Sequence, residues 1–350
     1  MQQLSAPNSR ASQPLVTIAI PTRNRSALVR SSVLRALKQT YANIEVLVSD
    51  NASTDDTVTV LGAISDPRLR VVTNPENIGS TPNINKCVRE ARGDYIVIVP
   101  DDDRVAETFV EKCVELINRE PAIQAVVGAY DVFFADENRR RPPILSERLS
   151  TGIFDGSEIL KEFLSGRLAT ITLSTLTRTK LLRDIGGFDA THLTADDILV
   201  LTQVLLSGRC ALLNESCATL TIHKSTVSTQ SGFDYSFLDI QKVMVETSRH
   251  AERSIADIAE RQEIQKLAAH YVAMKLFDFL ALYRRQGASL SDVIGQFRAW
   301  AAQSPQCTAF DFLSALRPKT LALVLLPPSV TKVLLSLRHT LYGRGLIPTS

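Results

Sequence analysis

At 350 residues the chain is long enough for one large domain with an appendage, or for two modest domains. Hydrophobic residues make up 45% and charged residues 22%, an ordinary globular balance, and a net charge of +2 argues against general nucleic-acid binding. Five cysteines (Cys87, Cys113, Cys210, Cys217, Cys307) are odd in number and lack C-x-x-C spacing, which speaks for free thiols in a reducing compartment rather than a zinc or disulfide framework.

The first thirteen residues are polar and rich in Ser, Gln and Asn, with no apolar h-region, so they read as a flexible start without a signal peptide. From residue 15 the chain alternates short apolar, β-branched runs with helical patterns. Strands are expected at 15–20, 44–49, 69–73, 95–99 and 123–130, with helices at about 26–39, 54–64, 80–92 and 106–119 between them. In the third helix Ile84, Cys87, Val88 and Ala91 share one face. Such alternation implies right-handed βαβ units and a mainly parallel, Rossmann-like sheet with flanking helices.

A charged loop at 136–141, closed by Pro142-Pro143, breaks this pattern. The next block, 152–230, mixes a helix at 155–165, a Thr/Ser-rich strand at 170–177, a Gly-Gly turn, a helix at 195–207 and strands near Leu212 and Thr219. From Tyr235 the pattern is almost wholly helical. After Asp311 no acidic residue occurs, yet Arg317, Lys319, Lys332, Arg338 and Arg344 flank the apolar runs 321–326 and 333–337. No run of eighteen apolar residues appears, so a spanning helix is not expected. The 319–344 stretch suits one or two amphipathic helices on an anionic bilayer, or equally a helical cap on the preceding domain.

The expected strands end in unusual chemistry: Pro21-Thr22-Arg23-Asn24-Arg25 after the first, Asp50-Asn51-Ala52-Ser53 after the second, and Asp101-Asp102-Asp103 after the fourth. Ligands of open parallel sheets bind outside the carboxyl ends of the strands, so all three clusters share one edge. Asp50 can accept from a ring N–H or sugar hydroxyls, Asn24 and Arg25 can meet carbonyls or phosphate, and three adjacent carboxylates suit Mg²⁺ or Mn²⁺ on a diphosphate. The plainer alternatives are helix capping for the 50–55 segment and an acidic turn for the triplet. Neither G-x-G-x-x-G nor G-x-x-x-x-G-K-[ST] follows the first strand, which argues against a dinucleotide fold and a P-loop.

Taken in order, Pro21-Thr-Arg-Asn-Arg25, Val48-Ser-Asp-Asn-Ala-Ser-Thr-Asp-Asp-Thr57, Asn77-Ile-Gly79 with Asn85, Gly93-Asp-Tyr-Ile96 and Pro100-Asp-Asp-Asp103 resemble family 2 glycosyltransferases. Ile185-Gly-Gly-Phe-Asp189 and Thr194-Ala-Asp-Asp197 are similar to that family's acceptor-side loop and acidic base motif. The resemblance implies a GT-A fold over 14–230, with a nucleotide-sugar half (14–130) and an acceptor half (131–230), followed by an all-helical extension at 231–350. It implies inverting transfer, of hexosyl or deoxyhexosyl type, from a UDP, GDP, dTDP or CDP sugar to a glycan or lipid-linked glycan, as in bacterial surface-polysaccharide or lipopolysaccharide assembly. A cytoplasmic protein, peripheral on the inner membrane, fits that reading.

Carried over by residue, the resemblance places Pro21, Thr22, Asn24, Arg25, Asp50, Asn51, Asn77, Gly79, Asn85 and Asp101 against the nucleotide. It places Asp102, Asp103 and His223 on a Mn²⁺ or Mg²⁺ ion. Pro100 stands where many members have the first aspartate of the D-x-D motif, and Ile84 stands where many carry an arginine. Asp197, with Asp196 second, is the expected base for the acceptor hydroxyl; the plainer role for both is negative charge at a helix N-terminus. Two alternatives remain. A sugar nucleotidyltransferase shares the strand–helix plan but wants a glycine-rich basic loop after the first strand. A non-catalytic nucleotide-sugar or glycan-binding relative in a membrane assembly would leave the acids spare.

Overall fold

The computed structural model describes residues 13–192, 194–223 and 233–285, with isolated positions between 289 and 295. The expected tail helices at 319–344 and Cys307 lie outside the described residues. The chain separates into two compact units, Met1–Ser231 and Gly232–Ser350.

The first unit opens with four parallel strands, β1 (Val16–Thr22), β2 (Ile44–Asp50), β3 (Leu69–Thr73) and β4 (Tyr95–Ile98), linked by α1 (Ser26–Ala36), α2 (Thr57–Gly62) and α3 (Ser80–Glu90). β2 and β4, rich in Val, Ile and Leu, are buried at every position, as strands covered on both faces must be. There follow β5 (Arg104–Val105), α4 (Phe109–Arg119), β6 (Ala125–Phe134), β7 (Arg139–Arg141), β8 (Gly152–Asp155), α5 (Gly156–Leu164), β9 (Thr175–Arg178), α6 (Thr179–Asp184), α7 (Asp196–Leu205) and β10 (Arg209–Ile222). All ten strands join one sheet, in the order β3-β2-β1-β4-β9-β6-β10-β5, with β7 on β6 and β8 on β10. On α4, Phe109, Val110, Cys113, Val114, Leu116 and Ile117 recur at helical spacing and are buried in the core with Val16, Ile18, Ile20, Val46 and Val97.

The sheet is mixed. β9 runs antiparallel to β4 and β6, whereas β6 and β10 are parallel to each other. The two strands expected near Leu212 and Thr219 are one, interrupted by register shifts between Leu213 and Ala218; Asn214, Glu215 and Ser216 there blur the apolar pattern that a single strand would show. The expected strand at 170–177 begins as a 3-10 turn, Thr172–Ser174, before β9. The four described cysteines are buried free thiols.

Register explains the strand-end clusters. β1 pairs with β2 so that Thr22 stands beside Asp50, and with β4 so that Ala19 stands beside Ile98. The Val99 amide continues that ladder by donating to the Ala19 carbonyl at 2.8 Å. Three residues further on, the same offset sets Asp101 beside Thr22. The parallel β10 ends at Ile222, one residue before His223.

The second unit contributes α8 (Phe233–Ser254) and α9 (Ile258–Arg285), which pack on each other. Ile264, Ala268, Val272, Leu276 and Leu280 repeat every fourth residue along α9 and are buried. Among the described residues no helix is long and apolar enough to cross a membrane.

Candidate active site

At the end of β1, Asn24 adopts a left-handed backbone (φ 53°), which an Asx residue tolerates. Its Oδ1 accepts from the Thr54 amide at 2.7 Å, and its own amide donates to Ser53 Oγ at 2.8 Å, so the loops after β1 and β2 are laced together. Asp50 is fully buried and accepts from the Ser53 amide at 3.3 Å. Asn51 is the hub of the next layer. Its Nδ2 donates to Asn77 Oδ1 (2.8 Å) and the Gly79 carbonyl (3.0 Å), while its Oδ1 accepts from Asn74 Nδ2 and the Ile78 amide, both at 3.0 Å. Asn83 completes the set, accepting from Ser49 Oγ (2.7 Å) and Asn74 Nδ2 (3.0 Å). These buried amides satisfy one another and fix the 77–79 turn, where Gly79 takes φ 90°.

The triplet divides its labour. Thr22 Oγ1 donates to Asp101 Oδ2 at 2.6 Å, as the register requires. Arg25 Nη1 bridges Asp101 Oδ1 (2.8 Å) and Asp102 Oδ2 (2.9 Å). His223 Nε2 lies 3.0 Å from the same Asp102 oxygen. Asp103 is engaged differently: it is 3% exposed, and its Oδ1 accepts from the Thr221 amide of β10 at 2.6 Å. Burial pushes the Asp101 carboxyl up, opposed by Thr22 and Arg25, and pushes Asp103 well up with the charge of Asp102 adding to it. Burial works against the Arg25 charge, but the two carboxylates outweigh it and hold the guanidinium above its ordinary value.

This donor set fits a divalent cation. Asp102 and His223 converge, Asp101 lies across the same arginine, and a cationic group, the Arg25 guanidinium, already stands between the two carboxylates. Among the described residues no three His, Cys, Asp or Glu side chains are grouped so as to hold a metal ion by themselves. Mg²⁺ and Mn²⁺ need fewer, since they take one or two carboxylates and complete their shell with water and phosphate oxygens.

A second pair of carboxylates opens α7. Asp196 Oδ2 accepts from Thr81 Oγ1 of α3 at 3.1 Å, and its Oδ1 from the Asp197 amide at 2.9 Å. Asp197 Oδ1 accepts from the Ile198 amide at 2.8 Å. Because α3 starts from the carboxyl end of β3, the Thr81 bond sets this pair on the ligand edge. Burial, and then the charge of Asp197, raises Asp196 to about 7; burial raises Asp197 to about 6. Both residues are half-buried. Also on α3 is Asn85, whose Nδ2 donates to the Phe188 carbonyl (2.7 Å) and whose Oδ1 accepts from the Phe188 amide (2.8 Å). Its amide group is thus spent on holding the 185–189 loop against α3.

The model of glycosyl transferase family 2 matches residues 17–184, a little under half of the chain. Over residues 17–184 the chain is similar to the family 2 glycosyl transferases. The chain is 32% identical over 118 residues to the glycosyltransferase GlyG of Streptococcus pneumoniae serotype 4, covering 33% of this chain and 39% of that protein. It is also 32% identical over 106 residues to WfaP of Escherichia coli, a UDP-Glc:α-D-GlcNAc-diphosphoundecaprenol β-1,3-glucosyltransferase, covering 30% and 42%. The matched stretch spans about two fifths of the length of these relatives. Staphylococcus aureus TarS, solved as residues 1–349 with UDP-GlcNAc, superposes with a TM-score of 0.63 at 17% identity over 88% of this chain and 83% of that one. The fold is GT-A: a central sheet with flanking helices, followed by C-terminal helices.

Ser49, Asn74, Asn83, Thr81 and Thr221 belong to these networks without standing out as site residues in the sequence. Asn74 carries a usable signal, a polar residue directly after a strand, as Asp50 does. Thr81 and Thr221 carry none, since their partners lie more than a hundred residues away.

Proposed function

We propose that the chain is an inverting glycosyltransferase that moves a sugar from a nucleoside-diphosphate sugar to a hydroxyl of a glycan or lipid-linked glycan acceptor. One observation carries this reading: of two carboxylate clusters at the sheet edge, one is bridged by the Arg25 guanidinium, and the other has no cation paired to it among the described residues and is raised to about 6 and 7. In-line displacement at an anomeric carbon needs that division. The leaving diphosphate needs positive charge on one side, and the acceptor hydroxyl needs a proton acceptor on the other.

In this reading Asp50, Asn24 and Thr22 line the nucleoside pocket, and the Asn51–Asn77–Gly79 lacing shapes its wall. Asp101 faces the ribose. Asp102 and His223, with Asp103 tied to β10 behind them, would hold Mn²⁺ or Mg²⁺. Such a cation supplies charge neutralisation for the diphosphate as it leaves. Asp197 takes the acceptor proton, with Asp196 beside it, and a base near 6 is ionised at neutral pH while remaining basic enough to work. WfaP is named for a diphosphoundecaprenol-linked acceptor, and by analogy a lipid-linked glycan at the cytoplasmic face of the inner membrane is the acceptor class proposed here.

The test is a panel of nucleotide sugars assayed for hydrolysis and transfer, with Asp197→Asn as control. Turnover by the wild type that is lost in Asp197→Asn, with donor binding intact, is expected. If both proteins bind donor equally and neither turns it over with any acceptor, the proposal fails.

A further inference from the structure

We infer that Arg25 is a resident counter-ion of the cation site, which must swing away before a divalent metal can enter and which then grips the donor's diphosphate. This rests on the cation site proposed above. The geometry is exclusive. One nitrogen, Nη1, lies 2.8 Å from Asp101 Oδ1 and 2.9 Å from Asp102 Oδ2. A Mg²⁺ ion sharing those oxygens would stand about 2.1 Å from each, in the space that nitrogen fills.

The surroundings say which part moves. Asp101 is pinned by Thr22 at 2.6 Å, and Asp102 accepts from Arg25 while lying 3.0 Å from His223. The Arg25 main chain is fixed at both ends, its amide donating to Thr57 Oγ1 (3.3 Å) and its carbonyl accepting the first turn of α1 from Val29 (2.9 Å). Its side chain is 29% exposed, against 4% and 10% for the two carboxylates. The guanidinium therefore has a path toward solvent that the acids lack. A guanidinium fork matches phosphate oxygens as well as it matches carboxylates, so a diphosphate arriving at this edge offers it a replacement partner. Without the donor, expelling Arg25 leaves it only water. Metal entry is thus held back until the nucleotide is present, an order set by one side chain.

The experiment measures Mn²⁺ binding to the donor-free protein by loss of the free-ion EPR signal, in wild type, Arg25→Ala, Arg25→Gln and Arg23→Ala. Arg23 is exposed on the same loop, so its removal takes away a charge without opening the contact. The expected result is Mn²⁺ binding at least tenfold tighter in both Arg25 variants and within twofold of wild type in Arg23→Ala. Equal affinity in wild type and the Arg25 variants would overturn the displacement while leaving the metal site standing, as would an Arg23→Ala gain matching theirs. Failure of every protein to bind Mn²⁺, with or without UDP or GDP, would overturn both the displacement and the cation site. A readout without substitution uses ¹⁵N-arginine NMR of the wild type. The Arg25 Nε resonance is expected to shift on adding Mg²⁺ with UDP or GDP, and an unmoved signal would sink the idea.

Discussion

At the end of β4, Asp101 and Asp102 accept from Thr22 and Arg25 and meet His223, all within 3.0 Å. At the start of α7, Asp196 and Asp197 meet one hydroxyl and main-chain amides, with no cation paired to them among the described residues. The residue type is the same and the sheet edge is shared, so the contrast lies wholly in the partners. At Asp101 the Arg25 charge and the Thr22 hydroxyl oppose the upward push of burial. At Asp196 and Asp197 no cation opposes it among the described residues, so proton affinity climbs to about 7 and 6, where a carboxyl can take and release a proton. The register of β1 against β4 dictates the first environment; the Thr81 bond from α3 dictates much of the second.

The largest effect should come from neutralising one member of each cluster. Asp197→Asn is expected to lower kcat by about 10²- to 10⁴-fold, the usual worth of a general base, and to leave donor affinity within twofold. Asp102→Asn is expected to do the reverse in binding, abolishing detectable Mn²⁺ uptake and weakening the donor. Titration calorimetry with a non-hydrolysable donor separates the two, and matching profiles for both variants would erase the contrast. The wild-type rate should also show an acid limb near pH 6, falling as Asp197 protonates. An acid limb below pH 5 would place the base elsewhere.

A smaller effect tests burial directly. Asp196 is raised to about 7 from an ordinary 3.8, so the folded protein binds its proton more tightly than the unfolded chain does. The stability associated with the protonated form is complete below about pH 4 and is lost as pH rises through 7. Asp196→Asn imitates the protonated acid. Its advantage over wild type should be negligible at pH 4 and grow to on the order of 4 kcal/mol at pH 8. Urea unfolding at pH 4, 6 and 8 measures this, and a difference independent of pH would mean that burial is not what raises the group.

The two clusters were unequally legible from residues alone. Asp101–Asp103 follows an apolar run that stops at charge, and Thr22 and Asp50 follow two more, so parallel strands alone place them on one edge. Asp196 and Asp197 look in isolation like ordinary acids at a helix start, and only the resemblance marks them out. Arg25 as a bridge between two carboxylates could not be read at all, because the offset of 76 residues becomes a contact only through the register of β1 and β4. The antiparallel β9 escaped for a related reason: strand direction leaves no mark on a four-residue Thr/Leu segment. Asn85 has a role that its motif position does not announce, since its amide serves the Phe188 main chain.

The last and smallest effects concern two glycines in loops that flank α3 and α6. Gly79 in the 77–79 turn and Gly187 in the 185–189 loop both take positive φ, 90° and 74°. A methyl group on Gly79 would find only the Pro82 ring, at 3.6 Å, so Gly79→Ala should cost only the backbone strain, about 1 kcal/mol. The same methyl on Gly187 would fall 2.3 Å from Asn85 Oδ1. Asn85 must then yield and give up both bonds to Phe188, so Gly187→Ala should cost about 2 to 3 kcal/mol. Asn85→Ala made first should remove much of that excess, since the clash and the amide pair vanish together. A double-mutant cycle in urea reads the coupling, and additive losses would mean that the 185–189 loop is held to α3 by something other than Asn85.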